Sequence, residues 1–161
     1  MSLIQPAPVQ LEQAGWAELD QVMQVMTSAF DPSFGEAWTR AQCAGLLPMS
    51  GVRMTLAKQP GGQPAGFSLV RTIAGESELL LLAVAPPAQR HGVGSALVGR
   101  FITDAQRAGA SKLHLEVRDG NPAVELYRRH RFDVLGRRSK YYRGGDGALF
   151  DALTMGRPTT A

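Results

Sequence analysis

The residues with the clearest chemical capability are Gln89-Arg90-His91-Gly92-Val93-Gly94. They follow the apolar run Leu79–Val84 and open a stretch of helical periodicity, so a strand, a Gly-rich turn and a helix start lie in succession. Such a junction binds anions through its backbone, because the first turn of a helix leaves N–H groups unpaired and carries partial positive charge. Gly92 and Gly94 let the main chain approach a phosphate with no Cβ in the way. Arg90 and His91 add donors at the rim. The pattern predicts a phosphate-bearing cofactor.

Other reactive side chains read differently. Cys43 lies within a helical pattern with no His beside it, which suits a buried structural thiol better than an acyl-accepting nucleophile. His91, His114 and His130 show no metal-ligand spacing with Cys43 or with carboxylates, so no metal site is expected. Arg128, Arg129, Arg131, Arg137, Arg138, Lys140 and Arg143 crowd one segment with Asp133 as the only acid among them. That cluster suits either an anionic partner or a solvated helix face followed by a basic hairpin. No specific nucleic-acid partner is predicted.

These groups must be held by a scaffold, and 161 residues suffice for one domain, 1–161, with a real core. A hydrophobic content of 44% against 19% charged residues is that of a globular chain. No apolar run approaches the roughly 20 residues needed to cross a bilayer. The N-terminal residues carry no basic-then-apolar leader pattern, and a lone cysteine suits a reducing compartment, so a cytoplasmic location is expected.

Periodicity predicts a short strand at Gln5–Glu12, a helix at Ala17–Ala29 and a second helix at Glu36–Leu47, ended by Pro48. Strands are predicted at Val52–Gln59 and Ala65–Thr72, joined by the turn Pro60–Pro64. Glu76–Val84 reads as a central strand buried on both faces. A long helix at Gly94–Gly109 follows, then a strand at Lys112–Arg118 with Leu113, Leu115 and Val117 on one side and His114 on the other. Pro122 suits the first position of a short helix running to about His130. Phe132–Tyr142 and Phe150–Gly156 predict a closing hairpin. Hairpins on both sides of the phosphate loop argue for a mixed sheet rather than an alternating Rossmann order.

Gln89-x-x-Gly92-x-Gly94 after an apolar strand resembles the acetyl-CoA pyrophosphate motif of the GNAT N-acetyltransferases. Leu115-Glu116-Val117-Arg118, Asn121, Leu126-Tyr127, Arg137–Tyr142 and Asp151–Met155 extend the resemblance to the RimI-type N-α-acetyltransferases, from about Phe67 to Met155. Ala29-Phe30-Asp31-Pro32 with Trp38 is similar, more weakly, to that family's substrate-side segment. The resemblance implies an α/β (α+β) GNAT fold, with a mixed, mostly antiparallel central sheet flanked by helices. It also implies acetyl-CoA as co-substrate and a protein N-terminal α-amine, in a ribosomal protein, as acceptor. By position, Leu82, Ala83 and Val84 would bind the pantetheine arm, Arg90, His91, Gly92, Val93, Gly94 and Ser95 the pyrophosphate, and Asn121 the cofactor. Glu116 would be the general base and Tyr127 the general acid. The chain departs from the pattern in a span from Asn121 to Tyr127 that is one residue shorter, and in Arg131 where the family has Gly before the helix-ending Phe.

Each role has a structural alternative. Glu116 can take the amine proton, directly or through water, or pair with Arg118 or another cation at its strand end. Tyr127 can protonate a leaving thiolate or be a core aromatic. N–H groups near Ala83–Val84 can stabilise an oxyanion only if that strand splays from its neighbour. Tyr141 and Tyr142 are adjacent on a strand, so one of them is expected to line a peptide slot and the other to face away. Direct transfer in a ternary complex is the expected mechanism. The rivals are a small-amine or lysine acceptor on the same fold, and a non-catalytic CoA-binding or ribosome-associated module.

Overall fold

A computed structural model describes residues 9–160. The strands are β1 (Gln10–Ala14), β2 (Val52–Lys58), β3 (Pro64–Ile73), β4 (Glu76–Val84), β5 (Lys112–Arg118), β6 (Asp133–Arg143) and β7 (Leu149–Pro158). They form one sheet in the order β1-β2-β3-β4-β5-β7-β6. Every neighbouring pair is antiparallel except β4 and β5. The helices are α1 (Leu19–Ala29), α2 (Arg40–Leu46), α3 (Val93–Arg107) and α4 (Ala123–Arg129). The mixed sheet with flanking helices is the α+β architecture expected.

The parallel pair positions the site. Its register runs only from Glu76↔Lys112 to Leu79↔Leu115. Beyond that point β4 continues beside β3 while β5 diverges, and Leu80 forms a bulge opposite the Leu69/Val70 step. A wedge therefore opens between two strands of one sheet. It is why β4 is central but not buried on both faces, as its apolar run suggested. Leu79, Leu81 and Ala83 are buried, while Leu80, Leu82 and Val84 are half-exposed and line the opening.

One core, built on Phe101, Leu113, Leu115, Tyr127, Phe132 and Met155, joins α3 and α4 to the sheet. A second, built on Leu19, Val22, Met26, Cys43, Leu56 and Phe67, seats α1 and α2 on the opposite face, and a smaller third, with Ala57, Ala65, Ala88, Val93 and Leu97, packs the start of α3. Each large apolar side chain among these contributes about 1.5–3 kcal/mol of burial. Cys43 is fully buried here, as the helical pattern suggested.

Most element boundaries shift by one or two residues from the periodicity, and the larger or site-relevant differences are these. Part of the first predicted strand, residues 5–8, lies outside the described residues, and β1 extends later, to Ala14. The predicted helix at Glu36–Leu47 begins only at Arg40, because Thr39 and Gln42 close a reciprocal capping box, with Gln42 N–H donating to Thr39 Oγ1 at 3.1 Å and Thr39 N–H to Gln42 Oε1 at 2.8 Å. Glu36 is thereby left on a loop. Pro122 precedes α4 as its cap rather than opening it. Arg131 adopts the left-handed conformation (φ 68°) that the missing glycine would have supplied.

Candidate active site

The wedge between β4 and β5 is the mouth of a cleft of about 660 Å³. At one end lies the Gly-rich turn. Arg90 (φ 65°) and Gly92 (φ 82°) both take left-handed backbone, which swings the chain from the end of β4 into α3. Ala96 N–H is the first in α3 to find a helical acceptor, Gly92 O at 3.0 Å, so those of Val93, Gly94 and Ser95 have no intrahelical partner. A Cβ on Gly94 would come within 2.9 Å of Leu126 Cδ2, so glycine also sets how closely α3 packs against α4. Ser95 Oγ hydrogen-bonds His130 Nε2 at 2.9 Å. Burial, helped by the charges of Arg129 and Arg157, lowers the His130 pKa and favours the neutral ring.

From Leu80 onward, the β5-facing side of the β4 backbone has no strand partner. The splay that an oxyanion site at Ala83–Val84 requires is therefore present. Leu82, Ala83, Val84, Arg90, Gly92, Val93, Gly94 and Ser95 all line the cleft. His91 is exposed and does not.

At the far end, Glu116, Tyr127, Tyr141 and Tyr142 line the same cleft. Glu116 is only 12% exposed. Its Oε1 meets Arg138 Nε at 2.9 Å and its Oε2 accepts from Thr154 Oγ1 at 2.7 Å. The cation that pairs with Glu116 is thus Arg138 from β6, not its strand neighbour Arg118. Tyr127 belongs both to the core and to the cleft wall. Burial, and then the charge of Glu36, raises its pKa and keeps the phenol protonated. Tyr142 is held protonated in the same way, by burial first and then by Tyr141, Glu36, Glu116 and Tyr127.

Both tyrosines of the closing hairpin line the cleft, which corrects the expectation of one. Between the pairs Arg138↔Ala152 and Tyr142↔Phe150 the β6 register is broken, and Lys140 takes φ 55°. Lys140 N–H donates to Asp151 Oδ1 at 3.0 Å, and Arg137 Nη1 holds Asp151 Oδ2 at 3.1 Å. The bulge cancels the two-residue alternation, and the two rings meet edge to face at 4.9 Å.

Asn121 lines the cleft but is already engaged. Its Oδ1 accepts Ala123 N–H at 2.8 Å, and its Nδ2 donates to Glu36 Oε2 at 2.7 Å. Glu36 is the residue that sequence reasoning missed. Its Oε1 accepts from Arg118 Nε at 3.0 Å, and its side chain is 10% exposed. The Arg118 guanidinium in turn lies 3.7 Å from the Phe34 ring centroid. Glu36's partners lie 82 and 85 residues away, so no local pattern could have found it.

The loop carrying Phe34 and Glu36 is strapped to the β6–β7 turn. Gly145 N–H donates to Pro32 O at 2.9 Å, and the Phe34 and Phe150 rings meet edge to face at 5.3 Å. The approach is so close that a Cβ on Gly35 would lie 1.9 Å from Arg143 O, and one on Gly144 1.9 Å from Ser33 O.

Among the described residues no three His, Cys, Asp or Glu side chains are grouped to hold a metal ion, and no helix is long and apolar enough to cross a membrane.

Comparison with known proteins agrees with this architecture. The chain is 36% identical over 98 residues to the [ribosomal protein bS18]-alanine N-acetyltransferase of Escherichia coli (strain K12), covering 60% of this chain and 66% of that protein. It is 33% identical over 93 residues to the enzyme of the same name from Haemophilus influenzae, covering 58% and 64%. The matched region thus spans slightly under two thirds of these relatives' length. The crystal structure of the Escherichia coli ribosomal-protein-S18-alanine N-acetyltransferase superposes with a TM-score of 0.84 at 26% identity, covering 96% of both chains. A phosphinothricin acetyltransferase from Sinorhizobium meliloti, solved with AcCoA, shares the fold at a TM-score of 0.78 and 18% identity, covering 93% of this chain and 88% of that one. The model of the acetyltransferase (GNAT) family matches residues 19–132, more than half of the sequence, and the chain belongs to that family.

Proposed function

We propose that this protein is an acetyl-CoA-dependent N-α-acetyltransferase acting on a protein N-terminus, with the alanine terminus of ribosomal protein bS18 as the leading acceptor. The observation that carries the reading is one cleft with an open phosphate loop at one end and Glu116 and Tyr127 at the other, joined by an unpaired strand edge. The relatives named for that ribosomal acceptor support the choice of acceptor.

Acetyl-CoA fits the donor set: N–H groups of Val93, Gly94 and Ser95 with Arg90 for the phosphates, and Leu82–Val84 for the pantetheine arm. It supplies an activated acetyl thioester. An α-amine has a pKa of roughly 7.7–8.0, so near neutrality most of the acceptor arrives as ammonium. Glu116 takes one proton from it, directly or through water. The freed nitrogen lone pair attacks the thioester carbonyl, and backbone N–H groups on the splayed edge of β4 stabilise charge on the carbonyl oxygen. The C–S bond then breaks, and Tyr127 gives its phenolic proton to the departing thiolate. The second proton of the attacking nitrogen, acidic once the C–N bond has formed, passes to the Tyr127 phenolate directly or through water, which leaves a neutral amide and restores the phenol. The transfer is direct, with no acetyl-enzyme.

Mass spectrometry of an alanine-initiated peptide, of the same peptide blocked at its α-amine and of a polyamine, each incubated with acetyl-CoA, tests the reading. A single acetyl group on the free α-amine is expected. Acetylation of lysine in the blocked peptide, or of the polyamine instead, would overturn it.

A further inference from the structure

Two carboxylates face the far end of the cleft, and they are held differently. Glu116 stands on β5 with one oxygen in an ion pair with Arg138 and the other on the Thr154 hydroxyl. Glu36 stands on the loop between α1 and α2, pinned by Arg118 Nε and Asn121 Nδ2 from the β5–α4 junction. A carboxylate offers about four acceptor positions, so one hydrogen bond on each oxygen leaves capacity toward the cleft. The other acidic side chains in the wall are more open to water: Glu78, paired with Arg71 at 3.1 Å, is 23% exposed, and Asp31, which caps Ser33 N–H at 2.9 Å, is exposed.

Glu36 is also placed where the chemistry must occur. Its charge acts on both Tyr127 and Tyr142, the two phenols of the far end. Around it the wall is apolar and aromatic, with Phe34, Trp38, Tyr141 and Tyr142. The Arg118 guanidinium balances the Glu36 charge, so what Glu36 offers an incoming ammonium is the remaining lone pairs of a fixed carboxylate. These accept strong charge-assisted hydrogen bonds that an acceptor lacking the amine cannot make. The strap between Pro32 and Gly145 keeps the loop from swinging away.

We propose that Glu36 binds and orients the acceptor's α-ammonium group, leaving Glu116 to take the proton. The inference rests on the acetyltransferase reading above. It divides the work between two residues that sequence alone would treat unequally: the strand carboxylate deprotonates, and the loop carboxylate selects a cationic amine and aims its nitrogen.

The test compares binding of two alanine-type peptides to the full-length protein with CoA present: one with a free α-amine, and its des-amino counterpart with hydrogen in place of that amine. Below pH 7 the wild-type protein should prefer the free-amine peptide about tenfold or more, which is about 1.4 kcal/mol. In Glu36→Gln the preference should fall to within twofold, while in Glu36→Asp, which keeps the charge one methylene further back, it should be intermediate. Thermal midpoint and CoA affinity report whether each variant is folded. If Glu36→Gln does not fold, Glu36→Asp decides: a reduced preference supports the proposal, an unchanged one overturns it. A wild-type preference retained in Glu36→Gln, or an equal loss of affinity for both peptides, overturns it as well. Binding is read without turnover, so a protein that fails to acetylate any α-amine defeats the functional reading separately.

Discussion

At the phosphate-loop end, the cleft wall comes largely from one continuous stretch, Leu79 to Ser95, where strand, turn and helix start follow one another. At the carboxylate end it comes from three separated stretches: the loop bearing Phe34 and Glu36, the β5–α4 junction with Glu116, Arg118 and Asn121, and the β6–β7 hairpin with Tyr141 and Tyr142. The first end needs only backbone geometry, so glycine and left-handed φ suffice. The second needs side chains that meet across long sequence separations, so it depends on ion pairs, ring contacts and a strap of close glycines. An anion recognised through N–H groups tolerates many side chains; an amine recognised through placed carboxylates does not.

If the ends are separable in this way, substitutions should sort by which substrate they disturb. The largest effect is expected from Tyr127→Phe. It keeps the packing against Phe132 but removes the proton donor, and kcat should fall about 10²–10⁴-fold with the KM for acetyl-CoA little changed. A fall in acetyl-CoA affinity instead would place Tyr127 with the other end. Gly35→Ala comes next. It adds left-handed strain, about 1–2 kcal/mol, to a Cβ placed 1.9 Å from Arg143 O. The strap should open, lowering the thermal midpoint by several degrees and raising the acceptor KM about tenfold, with acetyl-CoA binding unchanged.

Gly92→Ala probes the opposite end with milder force, because φ is 82° but no atom lies within 4 Å of the added Cβ. A strain of about 1 kcal/mol should raise the acetyl-CoA KM severalfold and leave the acceptor KM alone. Equal effects on both KM values would erase the distinction between the ends. Cys43→Ser should affect neither. A hydroxyl in that fully buried position destabilises the fold by about 1–3 kcal/mol, and kcat per folded molecule should hold, as it would not for an acyl-carrying thiol. The Tyr127 pKa is raised, so the acid form persists through the alkaline range. kcat should therefore show no alkaline fall between pH 6 and 9, whereas the acceptor KM should rise above about pH 8 as the free α-amine, of pKa roughly 7.7–8.0, loses the charge that Glu36 selects.

The same contrast explains what was legible in the sequence. The strand boundaries of β5 were read to the residue, because Leu113, Leu115 and Val117 alternate cleanly with His114 and Glu116. The turn from β4 into α3 was equally legible, since Gly92 supplies the left-handed backbone that such a turn needs. Arg131 could be expected to need a left-handed angle because it stands where the resembling family has the glycine that follows the helix. Glu36 was placed inside a predicted helix because its neighbours fit that period, whereas the Thr39–Gln42 capping box set the true start. Tyr141 and Tyr142 were assigned opposite faces because alternation is a local rule, and the bulge at Lys140 is fixed by Asp151 on the partner strand. Asn121 was read as a cofactor contact; its place in the cleft wall is compatible with that, and its tie to Glu36, 85 residues away, is what the sequence could not show. The tie to Glu36 and the bulge at Lys140 depend on partners far along the chain, and the Thr39–Gln42 box, though local, acts through side-chain hydrogen bonds that a hydrophobic period does not record.

Steady-state kinetics of Glu116→Gln across pH 6–9 tests most directly whether Glu116 is the base that readies the acceptor for the acetyl donor. As the general base, Glu116 on conversion to Gln should lower kcat on an alanine-initiated peptide about 10²-fold or more, with both KM values within about threefold of wild type. Unchanged turnover across that range would contradict it.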